Sequence, residues 1–358
     1  MSSLVALLLE RGGLDGPVLV GSGRITADQP EVAAAAGQKF YLFSPWNGGY
    51  TLLNDVDTGV PVLSLAVGLP VFNLDNVILG TADRLLVYGG SQGTVSFLGE
   101  TEPEAGALFV NLALGDLDGD GREEVVAAAE GNESLYIYRL GDETGAGLRL
   151  ELLAVRVLPG PAQKTVVLKR GGGQLPLIVV AYRQGNVSGL LTLSYTEMGF
   201  AEGPAVDALP AGVTALTAGD FTPGEGEEPA WGGNDGRARI MEVNDVLDTA
   251  LVTDNLGSAV TALAAAGPAG EQTGVLLAGT PEGFLFGYRL PITGASPDWA
   301  ARIGRPVYSL AGAGAGRLAL GTADGYVQVW LVSAVPLVRY VVREGDTLWS
   351  IARTFHTT

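Results

Sequence analysis

Gly321-Thr322-Ala323-Asp324-Gly325-Tyr326-Val327-Gln328-Val329-Trp330 holds a polar turn with a glycine, then an alternating strand closed by an aromatic. A short apolar run, Leu318-Ala319-Leu320, leads into it. Alternation over such a short stretch is the mark of a β-strand, and the glycine-bearing turn makes the pair a hairpin. The same pattern returns upstream at Gly279–Tyr288, Gly233–Met241, Glu130–Tyr138, Leu79–Tyr88 and Ala36–Phe43. A further copy at Tyr182–Val187 lacks the closing aromatic and ends near Leu191. The seven copies end at Phe43, Tyr88, Tyr138, Leu191, Met241, Tyr288 and Trp330.

That spacing, about 48 residues, fits one four-stranded blade of a β-propeller. A sandwich of unrelated hairpins would not keep one period through seven units. The expected fold is therefore all-β, a seven-bladed β-propeller over residues 1–335. Upstream of each hairpin lies a small-residue strand, such as Val213–Ala218 or Val307–Ala311, suited to a crowded axis. Downstream lies a more variable outer strand, such as Leu148–Leu153. The seventh repeat has no evident outer strand before Pro336. Leu4–Leu9 is expected to supply it, which would cover a sheet edge and lock the ring.

Composition agrees with a folded body. Of 358 residues 47% are hydrophobic, and the 53 glycines and 19 prolines suit many turns between short strands. With 39 acids against 21 bases the net charge is −18, which disfavours nucleic acid and anionic lipid surfaces as partners. There is no cysteine, so disulfides and zinc–thiolate sites are excluded. No run is long and apolar enough to span a bilayer. The first nine residues lack a basic start and run into Glu10 and Arg11, so they read as a strand and not as a signal peptide.

In the third repeat Asp116-Leu117-Asp118-Gly119-Asp120-Gly121-Arg122-Glu123-Glu124 stands between two short apolar strands. Oxygen donors from Asp116, Asp118, Asp120 and Glu124, with the carbonyl of Arg122, can wrap a calcium ion. Calcium takes six to eight oxygens at about 2.3–2.6 Å, and glycine permits the tight turn. An EF-hand is excluded: it needs a bidentate Glu at the twelfth position, where Ala127 stands, and flanking helices. The alternative is an Asx-rich turn without metal. The loop resembles the calcium loops of FG-GAP or VCBS repeats in integrin-alpha-like propellers, with Glu where Asp is usual at the last position. The fifth repeat keeps Asp220 and Glu228 but has Gly224 at the fifth position, and the second keeps only Asn73-Leu74-Asp75-Asn76. Both are read as metal-free turns.

Beyond the propeller, Tyr340-Val341-Val342-Arg343-Glu344-Gly345-Asp346-Thr347-Leu348-Trp349-Ser350-Ile351-Ala352 resembles the start of a LysM domain. Tyr340–Val342 reads as a strand and Asp346 as a helix N-cap. Leu348, Ile351, Ala352 and Phe355 share one helical face. The resemblance implies binding of N-acetylglucosamine glycans, peptidoglycan or chitin, with Gly345, Asp346, Thr347 and Leu348 lining half of the sugar groove. Residues 336–358 carry only the strand–helix part of such a module. Poor glycan binding by this stretch alone is therefore expected. The implied location is the cell envelope or the extracellular space, a spore coat included.

A two-histidine metal site is excluded because His356 is the only histidine, and its place in the C-terminal tail, read as a solvated helix residue, argues against a Ser/His/Asp triad. Gly171-Gly172-Gly173 lacks the lysine of a phosphate cradle and reads as a turn. Trp46, expected in an exposed loop, is a candidate partner contact, whereas Trp330 is expected in the core. Two functions follow: a non-enzymatic platform with a protein partner on the propeller, tethered to wall glycan, or a carbohydrate-active enzyme at the channel mouth. Acids converging on the channel beside an exposed Trp would favour the enzyme. A wall of small apolar residues would favour the platform.

Overall fold

The computed structural model describes residues 4–332 apart from 72–73, 142–147, 197, 224–225, 268–273 and 315. Among them, seven antiparallel sheets of four strands follow one another as blades. Blade 3 shows the plan: inner strand Phe109–Gly115, second strand Glu124–Ala129, third strand Ser134–Leu140 and outer strand Leu150–Val157. All seven sequence-derived hairpins fall on the second and third strands of their blades. The outer strand of blade 3 begins at Leu150 and not at Leu148.

Second strands lie buried on both faces, so they read as unbroken small apolar runs without alternation. In Glu124–Ala129 every residue is buried. Val126 and Ala128 pack towards blade 4 beside Ile178 and Val180. Val125, Ala127 and Ala129 pack towards blade 2 beside Ile78 and Val87. The core is thus a set of layers between neighbouring blades. At about 25 cal/mol per Å² of apolar area, those layers are the main source of stability.

The ring closes through Leu4–Arg11, which pairs antiparallel with Val327–Val332 as the outer strand of blade 7. Leu7 stands opposite Trp330 and Arg11 opposite Val327. The Gln328 amide, itself buried, donates to Glu10 at 2.6 Å. A first strand in the last blade removes the exposed edge that a purely sequential ring would leave.

Inner strands sit side by side around the axis. Hydroxyls at four of them stitch their blade to the next. Ser64 donates to the Phe109 carbonyl, Thr214 to Val260, Thr261 to Val307 and Ser309 to Val18, at 2.5–2.7 Å. Small polar residues on this strand therefore satisfy carbonyls that the channel would otherwise leave bare.

Trp46 ends the third strand of blade 1 beside the turn at Asn47 and Gly48, and it is 66% exposed. Trp330, expected in the core, is half-buried, with its indole N–H donating to Gln328. Position explains this: it lies near the rim of the last blade, opposite Leu7. Gly172 and Gly173 adopt left-handed turn conformations, as their sequence suggested.

Candidate functional site

The acidic loop joins the inner and second strands of blade 3. Gly119 and Gly121 have φ of +79° and +87°, which L-residues with side chains rarely adopt, and this lets the chain double back within a few residues. The loop is organised by its own carboxylates. Asp116 accepts the N–H groups of Gly119 and Gly121 at 2.9 and 3.0 Å. Asp118 accepts from Asp120 at 3.1 Å, and Asp120 from Arg122 at 2.7 Å. These are Asx-type turns, the local device by which aspartate shapes a loop.

The result places carboxylate oxygens of Asp116, Asp118 and Asp120 within 4.8 Å of one another. Asp116 is half-buried and the other two are exposed. Three like charges so close repel, and a hard cation relieves the repulsion. An all-oxygen donor set of this kind fits calcium or magnesium and not a thiolate-seeking metal.

Glu124, the remaining side chain expected to ligate, does not belong to that group. It is 1% exposed, and its Oε2 accepts the Leu117 N–H at 2.7 Å. Burial pushes its carboxyl up to about 7; the Leu117 N–H opposes this, and the charges of Asp118, Asp120 and Asp116 add to it. Glu124, Asp120 and Arg122 line a cleft of about 350 Å³ with Glu123, Arg139 and Glu151.

The same clamp recurs elsewhere. In blade 5, Glu228 accepts from the Phe221 N–H at 2.7 Å and from the Thr222 hydroxyl at 2.6 Å. In blade 1, Glu31 accepts from the Thr26 N–H at 2.6 Å and its hydroxyl at 2.8 Å. Each clamp holds the loop where a wholly buried side chain, Ile25, Leu117 or Phe221, enters the core.

The acid just before the clamp reaches backwards to the preceding blade. Glu123 accepts the Leu69 N–H at 2.7 Å, and Glu227 accepts the Lys169 N–H at 2.9 Å. Leu69 has a φ of +56°, so Glu123 secures a strained backbone position. In blade 2 Asp75 does the same for Arg24. Sequence reading passed over these latches. The signal was present in the Glu-Glu pairs at 123–124 and 227–228.

Gly345, Asp346, Thr347 and Leu348 lie outside the described residues. So do Trp349, the expected helix and His356. The family model of the LysM domain matches residues 340–358. No curated protein sequence matches the chain. Two solved structures share the fold over nearly its whole length. Sqt1 of Saccharomyces cerevisiae is 13% identical with a TM-score of 0.61, covering 97% of this chain and 94% of that one. BBS1N, crystallised in complex with ARL6DN, is 12% identical with a TM-score of 0.69, covering 93% and 98%. At such identity the likeness is one of fold alone. Among the described residues no helix is long and apolar enough to cross a membrane.

Proposed function

We propose that this chain is a non-enzymatic interaction platform of the cell envelope or its exterior, a spore coat included, with its propeller tethered to N-acetylglucosamine glycan by the LysM segment. The carrying observation is the LysM match at 340–358 directly after a closed propeller. Gly345–Leu348 would touch the sugar, as the family resemblance implies. The propeller offers partners a rigid, strongly acidic surface, with Trp46 projecting from blade 1.

The axial channel supports the non-enzymatic reading. Among the described residues its lining contains no carboxylate, the group that glycoside hydrolysis uses in pairs. In the FG-GAP-type reading, Asp116, Asp118 and Asp120 would hold calcium with the Arg122 carbonyl, while Glu124 stays on the Leu117 N–H. Calcium would supply charge neutralisation and cross-link the loop; no chemical step is assigned to it.

Sedimentation with purified peptidoglycan and with chitin tests the tether. Residues 1–358 should pellet only weakly with the glycan, and the same protein lacking 340–358 should stay in solution. Equal pelleting would move the glycan site onto the propeller and revive the carbohydrate-enzyme reading.

A further inference from the structure

The seven inner strands enclose a channel on the propeller axis, of about 390 Å³, lined from all seven blades. Leucines such as Leu65, Leu216 and Leu263 give it an apolar wall. Most polar groups on that wall are engaged. The Ser64, Thr214, Thr261 and Ser309 hydroxyls donate to backbone carbonyls of the next blade. The Asn111 side-chain oxygen accepts the Thr165 N–H.

One lining side chain is charged. Lys164, third in the inner strand Ala162–Leu168 of blade 4, is half-buried. Among the described residues its ammonium has no hydrogen bond and no ion pair. The neighbouring inner strands, Phe109–Gly115 and Val213–Gly219, contain no charged residue. Behind it, Arg183 lies 3.9 Å from Glu130, and Glu124 and Glu228 are held by their own loops. Among the described residues, Tyr308 is the only other titratable group on the wall. Burial, with nothing to offset it, depresses the Lys164 ammonium.

A cation held among apolar groups without a counter-charge is costly. An anion relieves that cost, and an anion with an apolar body also buries the leucine wall. Inorganic anions gain nothing from that wall. The cavity has the size of an ordinary small-molecule site. The net charge of −18 repels anions from the outer surface, so uptake of one reports a built site. We propose that the axial channel binds an amphiphilic anion, a carboxylate or phosphate head on a short apolar chain, with the head on Lys164.

The chain contains three lysines, Lys39, Lys164 and Lys169, so lysine-selective ¹³C labelling gives three side-chain signals. Lys39 is paired with Asp55 and Lys169 is exposed, so both serve as references. Lys39→Arg and Lys169→Arg assign the third signal even if Lys164→Met fails to fold. Without ligand, the Lys164 signal should titrate below the ordinary lysine range. Octanoate should move the Lys164 signal saturably and raise its midpoint, while octanol leaves the midpoint in place. Lys164→Met should lose at least tenfold in octanoate affinity by calorimetry. Octyl phosphate in place of octanoate tells which head the site prefers, and saturable binding of either supports the site. The proposal fails if octanoate and octyl phosphate, each at millimolar concentration, both leave Lys164 unmoved or move all three lysines alike. It also fails if acetate or inorganic phosphate binds as tightly as octanoate.

Discussion

In blade 3 the run from Asp116 to Glu124 gathers three aspartate carboxylates within 4.8 Å. In blade 5 the equivalent run from Asp220 to Glu228 has Thr222 and Gly224 where Asp118 and Asp120 stand. The two loops nevertheless end on the same device: Glu124 holds the Leu117 N–H and Glu228 holds the Phe221 N–H, each at 2.7 Å. Blade 1 repeats it with Glu31 and Thr26, around a single aspartate, Asp28. Across the three blades the last acid of the run is a structural clamp. The alternating aspartates are a separable addition found in blade 3. A nine-residue motif that looks like one ligand set is thus two physical devices laid over each other.

The strongest way to break this comparison is to remove the clamp. Glu124→Ala leaves a buried N–H without an acceptor, which costs on the order of 1–3 kcal/mol. Glu228→Ala should fall in the same range, since its partner Phe221 is equally buried. Both losses should persist in chelator. Denaturant melts of the two variants measure this. A large loss in blade 3 with none in blade 5 would show that the clamps are not equivalent.

A pH series sharpens the difference between the loops. The Glu124 carboxyl titrates at about 7, above its ordinary 4.5. The folded chain therefore holds this proton more tightly than the unfolded chain does. Its stabilising contribution is complete below about pH 4.5, declines as pH rises, and is gone above about 7. Glu124→Gln keeps an acceptor for Leu117 and cannot ionise, so it should flatten this part of the profile. It should equal or exceed the parent in stability at pH 8 in chelator. An unchanged slope between pH 5 and 7 would remove Glu124 as its source.

Calcium tests the aspartates alone. Extracellular modules bind it at about 10⁻⁴–10⁻³ M. At ten times the dissociation constant the ion adds ~1.4 kcal/mol. In a chain of this size that raises the melting temperature by at most about 4 °C. Asp118→Ala and Asp120→Ala should abolish the rise, and Asp220→Ala should leave it intact. Calorimetric scans with calcium and with chelator decide it, and a rise that survives Asp120→Ala would place the ion elsewhere.

Much of the fold was legible because its signals are local. Buried second strands such as Glu124–Ala129 read as apolar runs, and each is followed by a turn and a third strand. Ring closure was legible from a deficit, the missing outer strand after Trp330. The stitches between blades were not, because Ser64 and Thr214 look like any strand hydroxyl and their acceptors lie 45 and 46 residues away. Lys164 escaped for a related reason: its isolation appears only when seven inner strands meet. At the acidic loop, spacing alone cannot separate an acid that faces a cation from one that faces a backbone N–H. Asp118 stands exposed among the three aspartates whereas Glu124 is buried on the Leu117 N–H, and only burial tells the two apart.

The finest test transplants the addition from one clamp to the other. Replacing Thr222→Asp, Pro223→Gly, Gly224→Asp and Glu225→Gly writes the blade 3 pattern into blade 5 while Asp220 and Glu228 stay. The change removes the Thr222 hydroxyl from Glu228, a bond worth about 0.5–1.5 kcal/mol. The calcium-free variant should therefore melt slightly lower than the parent. Calcium should recover about that amount, so the net shift is small and stoichiometry is the better readout. Titration calorimetry should count one more calcium per chain in the transplant than in the parent. If the count does not rise, alternating aspartates over a clamp are not sufficient. Leu117 and Arg122, which the transplant leaves as Phe221 and Gly226, would then become the features that distinguish blade 3.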